Sequence, residues 1–171
     1  LDQYYTRDHV KSDEVVLKCV NINDGKKKHQ RVKNVSFELR KGEIVGFAGL
    51  VGAGRSETMQ CIFGLTHGSK GTVTLDGKTL HIRNAVDAMK HGIGYLPEDR
   101  KDDGIIADLS VRDNIILALQ VMKGFFKPIS QAEAEAFADE YIKALEIKTA
   151  SSETPIKSLS GGNQQKVILA R

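Results

Sequence analysis

Gly46-Phe47-Ala48-Gly49-Leu50-Val51-Gly52-Ala53-Gly54-Arg55-Ser56-Glu57 is the stretch that decides how this chain folds. The apolar run at residues 43–48 enters it and reads as a buried strand. Residues 56–63 leave it with helical periodicity. Glycines at 49, 52 and 54 lie between. A strand, a glycine-rich turn and a helix in that order make an anion site. The glycines let successive backbone N–H groups converge on phosphate oxygens, and the helix N-terminus adds its dipole. Gly49, Gly54 and Ser56 match the phosphate-loop pattern G-x-x-x-x-G-K-[ST], with Arg55 at the lysine position. A planar guanidinium keeps the charge but does not place it where a compact ammonium would. The alternative is an ordinary glycine-rich strand-to-helix turn that binds nothing, and the loop alone leaves both open.

Composition sets the outer bounds. A chain of 171 residues is one domain by length and long enough to bury a core. Charged residues at 27% and hydrophobic ones at 40% describe an ordinary globular protein. A net charge of +3 gives no argument for nucleic acid. No apolar run is long enough for a membrane span, and the N-terminus carries no secretory signal. Cys19 and Cys61 lack ligand spacing and read as buried free thiols of a reducing compartment. Leu1 in place of methionine, and an end at Arg171 inside a helical pattern, read as a fragment.

Outward from the loop, residues 2–14 are polar and read as a linker, with Tyr4 and Tyr5 as exposed tail residues. Residues 15–20 read as a strand, and 23–30 as a turn whose Lys26-Lys27-Lys28-His29 cluster is a solvated tip. Residues 32–39 alternate as a half-buried strand. Residues 71–75 and 78–82 flank Asp76-Gly77, a two-residue hairpin signal. A short helix capped by Asn84 follows, then a buried strand at 92–96 ended by Pro97. The charged loop at 98–104 lies at that strand's C-terminal end, where open α/β sheets bind ligands; a solvated turn is the other reading. Ser110-Val111-Arg112-Asp113 and Ser130-Gln131-Ala132-Glu133 read as capping boxes opening two helices. Ala134, Phe137, Ala138, Tyr141, Ile142 and Leu145 share one face as core. Last, Ser160 caps a helix whose Gly161 and Gly162 leave the first turn bare of side chains. That is a second anion site, suited to a phosphate delivered from outside. A plain glycine-rich cap accounts for the two glycines but less well for the serine and paired glutamines.

Leu159-Ser160-Gly161-Gly162-Asn163-Gln164-Gln165 resembles the signature motif of ATP-binding-cassette (ABC) ATPases, and it follows the phosphate loop at about that family's spacing. Tyr95-Leu96-Pro97-Glu98 resembles the family's Q-loop region, with Glu98 at the glutamine position. Together with Pro97-Glu98-Asp99-Arg100 and the Gly49–Glu57 variant, these look like the second ATPase half of ribose, galactose and xylose-type bacterial monosaccharide importers. There one polypeptide carries two cassettes. The resemblance implies an α/β P-loop NTPase of ABC type with an antiparallel β-subdomain and a helical subdomain, C-terminally incomplete. Its divisions would be a linker (1–14), a nucleotide-binding core with β-subdomain (15–109), a helical subdomain (110–154) and the signature segment (155–171).

By the same resemblance, Gly49, Gly52, Ala53, Gly54, Arg55 and Ser56 face ATP, with Ser56 on Mg2+. Leu159, Ser160, Gly161, Gly162, Asn163 and Gln164 form the signature, which reaches the γ-phosphate held by the opposite cassette. The family stacks adenine on an aromatic before the second strand; between Val20 and Lys33 only His29 is available. Implied partners are the opposite cassette, transmembrane permease subunits and, indirectly, a periplasmic or lipoprotein sugar-binding protein, with no nucleic acid. The implied location is peripheral, on the cytoplasmic face of the plasma membrane. The Walker B strand, its aspartate, the catalytic glutamate and the switch histidine would follow Arg171. The expectation is therefore a chain that does not hydrolyse ATP alone and whose sheet edge is left open. A nucleotide-binding structural or regulatory module without turnover is the competing reading.

Overall fold

Four antiparallel strands form a sheet ordered β2-β1-β3-β4, from Val15–Asn23 (β1), Val35–Arg40 (β2), Lys70–Leu75 (β3) and Lys78–Leu80 (β4). The structure, a computed structural model, describes residues 12–26, 28–124 and 126–171. Tyr4, Tyr5 and most of the expected linker lie outside the described residues, as does Lys27. Two compact units divide the chain, Leu1–Ile93 and Gly94–Arg171.

In the first unit β1 is an inner strand, with Cys19 opposite Phe37 on one side and Val73 on the other. The hairpin turn forms as read, although β4 stops at Leu80 rather than 82: Leu75 pairs with Lys78, and Asp76 and Gly77 take φ of 48° and 75°. Both values are positive, as the turn type that matches strand twist requires. The helix α1 (Arg55–Phe63) lies against β1, and Cys61 and Ile62 close a core with Cys19, Ile22, Val32 and Val73. Both cysteines are free and buried, and burial pushes the Cys19 thiol up to about 11. The short helix α2 (Ala85–Lys90) is capped by Asn84, whose side chain accepts from the Asp87 amide.

The second unit is helical. Ser110 caps α3 (Val111–Lys123) and Ser130 caps α4 (Gln131–Ala144), each accepting from the amide three residues on. With α5 (Gly161–Ala170) they enclose Val111, Ile115, Ala138, Ile156 and Val167, all fully buried. Phe137, Tyr141, Ile142 and Leu145 pack against that cluster, so the aromatics of α4 are core. Among the described residues no helix is long and apolar enough to cross a membrane.

Two expected strands are missing, and for one reason. Residues 43–48 form no strand, and neither do residues 92–96. Ile44 and Leu50 are 86% and 85% exposed, and Leu96 is 48% exposed. A strand satisfies its amides and carbonyls only against another strand, and the four-stranded sheet among the described residues offers these runs no neighbour. Phe47 still finds a partner: its ring meets Phe37 edge-on, centroids 4.9 Å apart. The second sheet strand begins at Val35 rather than at 32; Val32 is buried outside it, its amide held by Asp24. The charged segment at 98–104 is not a loop. Residues Arg100–Gly104 form a π-helical turn capped by Asp99.

Candidate functional site

Two glycine-rich helix starts carry the candidate residues, one in each unit. In the first, Gly52 and Gly54 take φ of 83° and 86°, where a side chain is strained. They fold residues 51–54 into a tight turn, closed by the Ala53 amide donating to the Leu50 carbonyl at 3.0 Å. Gly54 sits where α1 begins. Its carbonyl accepts the first helical bond from the Thr58 amide (2.9 Å) and a second from the Thr58 hydroxyl (2.7 Å). The amides ahead of Thr58 therefore lie outside the helical ladder.

The glycines differ in what surrounds them. A Cβ on Gly54 would lie 2.6 Å from the Arg31 carbonyl oxygen, so that glycine admits the neighbouring backbone. A Cβ on Gly52 would meet nothing within 4 Å, so its side of the turn is open. The Arg55 stem lies over Gly49: its Cδ is 3.8 Å from where a Cβ would be. Glu57 is engaged by Arg31, Nη1 to Oε1 at 2.5 Å, and that hydrogen bond holds its carboxyl below the usual glutamate range. Arg31 sits on a segment fixed by the buried Asp24, whose carboxylate accepts from the amides of Lys26, Arg31 and Val32. His29 is exposed on the same segment. An open turn of amides at a helix start suits a phosphate chain, and Ser56 supplies a hydroxyl beside it.

The second start is braced. Ser160 occupies the N-cap position of α5 but makes no side-chain cap bond; its Oγ instead accepts from Asn163 Nδ2 at 3.0 Å. The expected cap is therefore positional, because Asn163 competes for the hydroxyl. The Asn163 side-chain Oδ1 accepts from the Lys148 amide. Gln164 is buried: its Nε2 donates to the carbonyls of Ile156 and Leu159, and its Oε1 accepts from Arg100 Nε at 3.2 Å. Lys166 Nζ reaches the Glu146 carbonyl. The polar residues after the glycines are struts, which explains the glutamine that a bare cap did not. Leu159 packs against the helical core just ahead of the turn.

Glu98 lies in the second unit, directly ahead of the π-helical turn. Asp99 accepts from the amides of Asp102 and Lys101, which hold its carboxyl below the usual range. The structure thus joins the Pro97–Arg100 motif to the signature segment through Arg100 and Gln164. Sequence reasoning quoted Arg100 but gave it no role, and it missed Arg31 and the buried Asn114. Asn114 ties the Ile106 and Ser110 backbone to α3, and Arg171 donates to both its carbonyl and its side-chain oxygen. Among the described residues no cluster of three His, Cys, Asp or Glu side chains could hold a metal ion.

Comparison with known proteins agrees with this architecture. A family model described as ABC transporter matches residues 32–171. The galactofuranose transporter ATP-binding protein YtfR of Escherichia coli (strain K12) is 53% identical over 135 residues, 79% of this chain and 27% of its own length. The ribose import ATP-binding protein RbsA of Lactococcus lactis subsp. cremoris (strain SK11) is 41% identical over 174 residues, 100% of this chain and 34% of its own. The chain thus spans between a quarter and about a third of the length of these curated relatives. Among solved structures, the post-hydrolysis dimer of the ATP-binding cassette MJ0796 bound to ADP and Pi matches with a TM-score of 0.70 at 24% identity. The match covers 90% of this chain and 67% of that one, a likeness of fold. The antiparallel sheet with its helical unit fits that cassette architecture.

Proposed function

We propose, as this chain belongs to the ABC transporter family, that it is part of the ATP-binding subunit of a bacterial monosaccharide importer. Its two glycine-rich helix starts would serve two different ATP sites. The observation that carries this is the pair of open glycines, Gly52 ahead of α1 and Gly162 at the start of α5, neither with a neighbour where a side chain would go. Relatives that share this stretch are the ATP-binding proteins of a galactofuranose transporter and of ribose and xylose import, which supports the substrate class.

In this reading Gly49, Gly52, Ala53, Gly54 and Arg55 hold ATP phosphates through the turn's amides, and Ser56 holds Mg2+. Bound Mg2+ supplies charge neutralisation on the phosphates. The chain's own part is to present donors without a side chain in the way. Ser160, Gly161 and Gly162 complete the site built on the opposite cassette's phosphate loop. Glu98 faces the metal and the permease subunits. The assembly sits on the cytoplasmic face of the membrane. The lysine position is filled by Arg55, whose stem lies over Gly49. That favours slow or absent turnover at this half's own loop, and binding without hydrolysis by the isolated chain.

The test is a pair of substitutions in the full-length polypeptide that carries this chain. Gly162→Asp is expected to lower ATP hydrolysis by about a hundredfold or more, and Arg55→Ala by less than about threefold. Equal losses would overturn the division of labour. Calorimetric titration of the isolated chain with ATP and magnesium, with phosphate release followed in the same sample, tests binding without turnover. Phosphate release above background would refute that part.

A further inference from the structure

The two glycines of the signature turn are unlike each other. A Cβ on Gly162 would meet nothing within 4 Å. A Cβ on Gly161 would fall 2.8 Å from Arg100 Nη2 and 3.1 Å from Arg100 Cζ. The guanidinium of Arg100 therefore occupies the space that a side chain at 161 would fill, while its Nε donates to Gln164 Oε1. Gln164 in turn holds the carbonyls of Ile156 and Leu159 from inside the helix's first turn.

The far end of Arg100 is anchored as well. It begins the π-helical turn, and a Cβ on Gly104 at the end of that turn would lie 2.7 Å from Ile168 Cδ1 of α5. The Ile105 amide closes the turn by donating to the Arg100 carbonyl at 2.9 Å. One short turn thus packs on α5 twice, through Arg100 at Gly161 and through Gly104 at Ile168, about two helical turns further along α5.

We propose that Arg100 is a positioning residue for the signature turn. Its guanidinium lies on Gly161 and fixes the Gln164 amide, so that the first turn of α5 presents Gly162 as its open face. Gly161 is a glycine to admit Arg100; Gly162 is a glycine to admit a group from outside. This rests on the reading that the turn meets nucleotide phosphate in the opposite cassette's site. A lysine would not substitute, because a flexible ammonium cannot both lie flat on Gly161 and donate from a fixed Nε.

The test is a double-mutant cycle on ATP hydrolysis by the full-length polypeptide with its partner subunits. Arg100→Ala is expected to lower kcat about tenfold with the KM for ATP within about twofold, the signature of misplacement rather than lost binding. Gly161→Ala, which expels the guanidinium, should cost a similar factor, and the double variant no more than either alone. By contrast, the losses from Arg100→Ala and Gly162→Ala should multiply. If the Arg100 and Gly161 losses multiply, or if Arg100→Ala keeps wild-type kcat, the proposal fails. Should Gly161→Ala not fold, Arg100→Met decides. It keeps the stem and removes the guanidinium, so a loss equal to that of Arg100→Ala supports the proposal and wild-type kcat overturns it. Gly162→Asp separates this from the wider reading. Activity retained there refutes the signature role, whereas activity lost there but kept in Arg100→Ala refutes only the role of Arg100.

Discussion

Gln164 ties the start of α5 to two carbonyls and one guanidinium, whereas the run leading into α1 leaves Ile44, Leu50 and Val51 at least 85% exposed. Both helix starts are built from the same ingredient, glycines at the opening of a helix. They differ in what surrounds them. The α5 turn rests on a unit whose contacts are supplied by its own segment, α3, α4 and the turn at 100–104. The loop ahead of α1 leans on Arg31, Thr58 and Phe37, but among the described residues no strand lies beside the run before it. Local chemistry can shape a turn; only a packed surround can fix where that turn points.

The largest expected effect contrasts the two surrounds. Ile115 is fully buried beside α5, so Ile115→Ala should destabilise the helical unit by about 2–5 kcal/mol. Ile44→Ser, on the exposed run, should stay within about 0.5 kcal/mol. Urea unfolding midpoints of the two variants measure this, and comparable losses would mean the 43–48 run is packed after all.

Asn114→Ala sharpens the same contrast from the polar side. It removes the side chain that holds the Ile106 amide and carbonyl and the Arg171 Nη2, in a partly buried place, and should cost about 1–3 kcal/mol. Amide exchange would locate the loss at residues 105–115 and at the C-terminal end of α5. A uniform rise in exchange across β1–β4 would contradict it.

The smallest effect concerns the phosphate-loop side. Arg31 depresses the pKa of Glu57, so the pair's contribution is present above the unfolded carboxyl's range and lost as pH falls through the depressed folded value. Arg31 is more than half exposed, which limits the pair to under about 1 kcal/mol. Arg31→Ala should therefore lower the unfolding midpoint slightly near about pH 7 and not at all near about pH 2. A difference that persists in acid would assign the effect to packing of the Arg31 stem.

The features legible from sequence were those set within a few residues. Asn84, Ser110 and Ser130 cap their helices because a side-chain oxygen reaches an amide three positions on. Asp76-Gly77 makes the hairpin because both residues accept positive φ. The period of α4 named its core face, and the glycines of both helix starts were evident. The misses depended on distant partners. Whether 43–48 and 92–96 become strands is decided by what lies beside them, and an apolar run carries no record of its neighbour. Ser160 was read as a cap from its position, but Asn163 takes its hydroxyl.

The sequence by itself determined the two glycine-rich turns, the caps of α2, α3 and α4, the core face of α4, and the family to which the motifs point, because backbone sterics and side-chain reach act over one helical turn. Only the tertiary structure decided that Gly161 and Gly162 are not equivalent, that Gln164 is a strut and that Arg100 lies at the signature turn. Residues 100 and 161 are far apart along the chain, and their meeting is a product of how α5 packs on the turn at 100–104, which no local rule encodes.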